Sequence, residues 1–119
     1  MTHDEAQRWA EQWIAEWNRH DVEAVLTHFA DDVVFVSPVA ATVTGDPSGV
    51  VRGKDALRAY WTTALASRAD LHFELVDVHL GVDAIAIGYR DQTGRATTEV
   101  AVFDVDGQVT RGWGLYAAG

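Results

Sequence analysis

The segment Trp17-Asn18-Arg19-His20-Asp21-Val22-Glu23-Ala24-Val25-Leu26, with Phe29-Ala30-Asp31-Asp32-Val33-Val34-Phe35 close behind it, changes its apolar spacing twice. Trp17 ends a stripe that runs back through Trp13, Ala10, Trp9 and Ala6 at intervals of three or four, so it closes an amphipathic helix. Ahead of that stripe, Thr2 and Glu5 stand three apart, as a capping box requires. Asp21 caps a short second helix carrying Val22, Val25, Leu26 and Phe29, and residues 33–36 then read as a strand. Three indoles thus share one helical face, with His20 and His28 near it.

Working outward, residues 37–52 contain two prolines, Gly45 and Gly49, and predict a long loop: a flap over a site, or plain surface. Gly53 and Asp55 open a third helix whose apolar stripe is Leu57, Tyr60, Trp61, Ala64 and Leu65. Four strands are expected at 71–80, 84–91, 95–104 and 109–116, joined by short turns such as Asp106-Gly107. Short connections predict an antiparallel meander. The expected fold class is α+β, with three N-terminal helices packed on a curved, mainly antiparallel sheet that encloses a pocket, all in one domain spanning 1–119.

Composition sets outer bounds. Hydrophobic residues make up 48% of the chain, enough for a core, while eighteen acidic against nine basic side chains give a net charge of −9. That charge repels phosphate backbones and anionic bilayers, so neither nucleic acid nor membrane is expected as a partner. No apolar run reaches spanning length and the first residues lack a signal-peptide pattern, which predicts a soluble, cytoplasmic protein. With no cysteine, disulfides and thiol chemistry are excluded. The histidines show no metal-ligand spacing, and Asp104-Val105-Asp106-Gly107 lacks the remaining ligands of a calcium loop. No glycine-rich dinucleotide or phosphate-binding motif is present, so neither metal nor cofactor is expected.

Strand alternation puts Thr97, Glu99, Ala101 and Phe103 on one face and Thr98, Val100 and Val102 on the other. Both faces are largely apolar, so one is expected to pack on the helices and the other against a second copy in a homodimer. Trp113, which shares a face with Arg111 and Leu115, is the expected interface anchor; the alternative is a Trp113 buried in the monomer core.

The quoted segments, together with Arg52-Gly53-Lys54-Asp55-Ala56-Leu57 and the Asp106-Gly107-Gln108-Val109 turn, resemble SnoaL-like proteins and ketosteroid isomerases of the nuclear transport factor 2 superfamily. The resemblance spans nearly the whole chain and implies a cone-shaped, cystatin-like fold with an internal pocket. Ketosteroid isomerases use a carboxylate base with a tyrosine and a protonated aspartic acid as oxyanion donors. Counted from the shared segments, the tyrosine position falls on Trp13, the base position on Ser37 and the aspartic acid position on Ala101. None of the three keeps its chemistry, so ordinary ketosteroid isomerase activity is not expected.

Other residues supply alternatives. Glu99 shares the strand face of Ala101 and, set against Trp13 or Trp17, would be disfavoured as an anion and suited to acid–base work; the bland reading is a solvated glutamate at a sheet edge. His72 and His79 bracket one strand and point to opposite faces unless a bulge intervenes, which makes His79 a second catalytic candidate or a surface residue. Trp13, Trp17, Ser37, Tyr60, Tyr89, Ala101 and Tyr116 are the expected ligand-binding set, around a small hydrophobic molecule. Two function classes stay open: an acid–base isomerase, cyclase or hydratase, and a non-catalytic binding or structural dimer.

Overall fold

The structure, a computed structural model, describes residues 1–118. In chain order it contains α1 (His3–Asn18), α2 (Val22–Leu26), β1 (Phe29–Val36), α3 (Pro38–Thr44), β2 (Val50–Arg52), α4 (Lys54–Ala66), β3 (Glu74–Leu80), β4 (Ala84–Arg90), β5 (Ala96–Phe103) and β6 (Val109–Tyr116). The capping box at the start of α1 is formed: Glu5 N–H donates to Thr2 Oγ1 at 3.1 Å and Thr2 N–H to Glu5 Oε1 at 2.8 Å. Of the expected stripe, Ala6, Ala10, Trp13 and Trp17 are buried and Trp9 is half-buried, with Ile14 buried beside them. Asp21 caps α2 by accepting from Ala24 N–H at 3.0 Å.

Two helices, rather than three, precede the first strand. The stretch expected as a loop at 37–52 instead holds α3 and β2. Its punctuation residues turn out to be boundary residues: Ser37 accepts from Val39 N–H, Pro38 occupies the first helical turn, and Gly45 ends the helix at φ +80°. Gly53, at φ +87°, then turns the chain into α4, and its N–H donates to Val33 O at 2.7 Å.

The six strands lie in the order β2-β1-β6-β5-β4-β3. As expected, β3 to β6 form an antiparallel meander. β1, however, runs parallel to β6, which makes the sheet mixed. The short-turn argument constrains only strands joined by short turns, and β1 reaches β6 through the rest of the chain. With β2 and β3 as its two edges, the sheet stays open and does not wrap round a pocket by strong curvature. Closure comes from helices: α1 packs on β3 and α4 on β1.

The helix-covered face carries Ile85, Ile87 and Tyr89 of β4, Thr97, Glu99 and Ala101 of β5, and Gly112 and Gly114 of β6, all buried. On the opposite face, Val100 and Trp113 pair side by side and are half-covered, the Arg111 guanidinium lies 5.5 Å from the Trp113 ring centre, and Leu115 is 51% exposed. Trp113 is therefore outside the core. No helix among the described residues is long and apolar enough to cross a membrane.

Candidate functional site

Between α1, α4 and the sheet lies a cavity of about 150 Å³. Its aromatic wall is built from the two lower indoles of α1, Trp13 and Trp17, from Tyr60 and Trp61 of α4, and from Phe35, Phe73 and Tyr89. Trp17 meets Trp61 edge-on with ring centres 5.0 Å apart, and Phe73 sits 4.4 Å from Tyr89 and 6.1 Å from Trp13. The residues after Trp17 hold this wall in place. Asn18 donates to Phe73 O at 2.9 Å and accepts from Phe73 N–H at 2.7 Å, while His20 Nε2 donates to Leu71 O at 2.9 Å. The segment that decides the fold thus also pins residues 71–73, which precede β3, against the end of α1.

The ladder through β4, β5 and β6 gives the cavity its polarity. Ile85, Ala101 and Gly112 form one rung, Ile87, Glu99 and Gly114 the next, and Tyr89, Thr97 and Tyr116 the third. The first is dry core; polar groups begin at the second. A side chain at Gly112 would press against the Phe35 ring at 3.0 Å, and one at Gly114 against Ser37 Oγ at 3.2 Å, so these strand glycines make room for β1 and for Ser37.

Several polar atoms here have no partner among the described residues. Trp13 Nε1, Trp17 Nε1 and Thr97 Oγ1 are buried and make no hydrogen bond. Leaving such a group unpaired costs about 1–3 kcal/mol. Glu99 is 6% exposed, and burial pushes its carboxyl well above the usual carboxylate range, with no cation or donor among the described residues to offset it. Burial likewise raises Tyr60, Tyr89 and Tyr116, although the nearby Ser37 hydroxyl works the other way for Tyr60 and Tyr116. The inner chamber is therefore a donor-rich space in an aromatic shell, where burial disfavours charge.

Of the expected ligand-binding set, Trp13, Trp17, Tyr60, Tyr89 and Tyr116 line the cavity together with Glu99. Ser37 is buried behind that lining and Ala101 lies one rung deeper, in the core. His79 is placed elsewhere: it is exposed on β3, opposite Ala86, and does not line the cavity. A bulge between Leu75 and Asp77 breaks the strict alternation, and His72 is exposed as well. His28 instead pairs with buried Glu16 at 2.7 Å, beside Trp9.

Sequence reading missed Thr97, Trp61 and Phe73, and the outer lining of Arg68, Asp91, Gln92 and Arg95. Thr97 was findable, since it shares the strand face of Glu99. Among the described residues no group of three or more histidine or acidic side chains could hold a metal ion.

The SnoaL-like domain family matches residues 10–112. A SnoaL-like protein of unknown function from Burkholderia thailandensis E264 is 42% identical, covers 98% of each chain and superposes with a TM-score of 0.93. More distant likeness, of fold alone, extends to RV0760c from Mycobacterium tuberculosis in complex with estradiol-17beta-hemisuccinate, at 21% identity over 94% of this chain and 93% of that one, TM-score 0.73. TerC co-crystallised with polyporic acid is similar at 14% identity over 89% and 86%, TM-score 0.73. No curated protein matches the sequence significantly. The domain match spans the segments around Trp17 and Gly53, and with the full-length relative it shows that the chain belongs to the SnoaL-like family within the nuclear transport factor 2 superfamily.

Proposed function

We propose that this domain binds a small, flat, largely apolar molecule that carries at least one hydrogen-bond acceptor, and that it does so without catalysing a reaction. The observation that carries this reading is that Trp13, Trp17 and Thr97, which line one aromatic cavity, bury Nε1, Nε1 and Oγ1 without a hydrogen-bond partner. A ligand oxygen that reaches any of these atoms satisfies a group the fold leaves unpaired. A cavity of this volume is comparable with an engineered one that admits benzene, so the chamber takes one ring and any larger body extends toward the exposed lining. Relatives of the same fold crystallised with polyporic acid and with an estradiol derivative support a small hydrophobic ligand.

A second reading, acid–base catalysis, rests on Glu99, whose buried carboxyl favours the protonated form and is suited to donate to a carbonyl. It is the weaker of the two because Glu99 has no hydrogen-bonded base beside it among the described residues, and His79 faces away. On the outer sheet face, half-covered Val100 and Trp113 beside exposed Leu115 support the homodimer contact.

The binding reading is tested by titrating the protein with acetophenone and with ethylbenzene, followed by tryptophan fluorescence. The ketone should bind about tenfold more tightly than the hydrocarbon. Equal affinities, or no response to either, would overturn it.

A further inference from the structure

The exposed side of the cavity differs in charge from the rest of the molecule. Its ionisable lining residues there are Arg68, Asp91 and Arg95, two positive and one negative, giving +1 locally in a chain of net charge −9. Among the described residues neither Arg68 nor Arg95 has a carboxylate oxygen within 4.0 Å. Arg68 extends from the turn after α4 and makes no side-chain hydrogen bond to those residues, although Asp91 is near enough to feel its charge. Arg95 is held more firmly: its guanidinium carbon lies 5.0 Å from the centre of the Tyr116 ring, and one nitrogen donates to Ala117 O at 3.4 Å.

Asp91 does not cancel the two arginines. Its Oδ1 is turned into its own loop, accepting from Thr93 N–H, Thr93 Oγ1 and Arg95 N–H. Deeper in, burial disfavours the charged forms of Glu99 and of the three tyrosines. Arg95, Tyr116 and Val39 also line an open groove with Pro38, Thr42 and Ala117, so Arg95 stands where chamber and groove meet.

We propose that the cavity selects an acidic amphiphile: a molecule with one ring in the chamber and a carboxylate on a short tether, received at the mouth by Arg68 and Arg95. This rests on the small-molecule reading of the same cavity and adds the ligand's charge. A planar guanidinium suits a carboxylate because it offers parallel donors, and Arg95, held over Tyr116, loses little freedom in meeting one. A cationic ligand meets only Asp91, against two arginines, along the same path.

The test uses matched pairs on one scaffold: phenylacetate, 3-phenylpropionate and 4-phenylbutyrate, each against the alcohol of equal length, by tryptophan fluorescence or calorimetry at low salt. At least one acid should bind about tenfold more tightly than its alcohol, with a gap that narrows as salt screens the charges. That gap should shrink in Arg68→Gln, close in the Arg68→Gln/Arg95→Gln double variant, and persist in Arg95→Lys, which keeps the charge. If acids and alcohols bind equally, the charge selection is wrong while the cavity reading stands. A gap that survives the double variant overturns the assignment to these two arginines. If no acid or alcohol binds, both readings fail.

Discussion

Replacing Glu99 with glutamine should change how stability depends on pH more than how large it is. Glu99 is buried without a cation beside it, and burial pushes its carboxyl well above the ordinary carboxylate range. Above that range the unfolded chain releases this proton while the folded chain keeps it, so the native state binds more protons and the protein loses stability as pH rises. The loss starts near the ordinary carboxylate value and continues until the raised native value is passed. Within that window one retained proton amounts to about 1.4 kcal/mol per pH unit. For a domain of this size that is roughly 5 °C in Tm per unit. The amide introduced by Glu99→Gln would occupy the same place, and its desolvation cost does not vary with pH. The offset between the two proteins therefore carries little information, and the slope carries the answer. Thermal unfolding of parent and Glu99→Gln at several values between about pH 5 and about pH 8 should give curves that diverge as pH rises, with the variant gaining. Other carboxyls cancel in the difference, including Asp91, where the effect of burial is outweighed by hydrogen bonds from Thr93 and Arg95 that hold it low. Parallel curves would show that Glu99 ionises normally and would remove the case for a chamber that disfavours charge.

Two further outcomes can be checked directly. Gly49 has φ +67°, and a Cβ there would stand 2.5 Å from the Ser37 carbonyl oxygen, whereas Gly94, at φ +84°, has nothing within 4 Å. Gly49→Ala should therefore cost about 2 kcal/mol or more and Gly94→Ala about 1 kcal/mol, measured by urea unfolding; equal costs would refute the clash. If the outer sheet face joins two copies, light scattering should give twice the 13.0 kDa protomer mass, and Trp113→Glu should halve it. A parent mass of one protomer refutes the contact.

Much of the architecture was legible because its signals are local. The capping box, the indole stripe, the four meander strands and the shared face of Thr97, Glu99 and Ala101 all follow from periodicity and turn chemistry. The failures have equally definite causes. Ser37-Pro38 and Gly45 are helix boundary signals, but the seven-residue α3 between them is rich in β-branched residues, and so many breakers read as loop. His79 could not be assigned by counting alternate residues, because the bulge after Leu75 is a tertiary feature. Arg68 lies just after a helix, where no period marks it, and Arg95, although it opens the strand expected at 95–104 and shares the parity of Thr97 and Glu99, joins Arg68 at one cavity only through the fold.

The polar groups themselves argue that the chamber exists for something other than stability. Three unpaired donors, at about 1–3 kcal/mol each, weigh against a net stability of about 5–15 kcal/mol for a typical domain. Adding a buried lone carboxyl increases that burden whenever the pH favours its charge. The neighbouring rung shows what the same strands do when only packing matters: Ile85 and Ala101 flank Gly112, which leaves room for the Phe35 ring, and no polar side chain is placed there. Polarity rises one rung at a time from there, through Glu99, then Thr97 with its two tyrosines, to Arg95 just before β5. On the proposed reading, a gradient of that direction would orient a guest, because the ring end would gain most from the aromatic wall and an acidic end most at the arginines. A ligand entering the other way round would place its charge in the desolvated interior, away from both arginines.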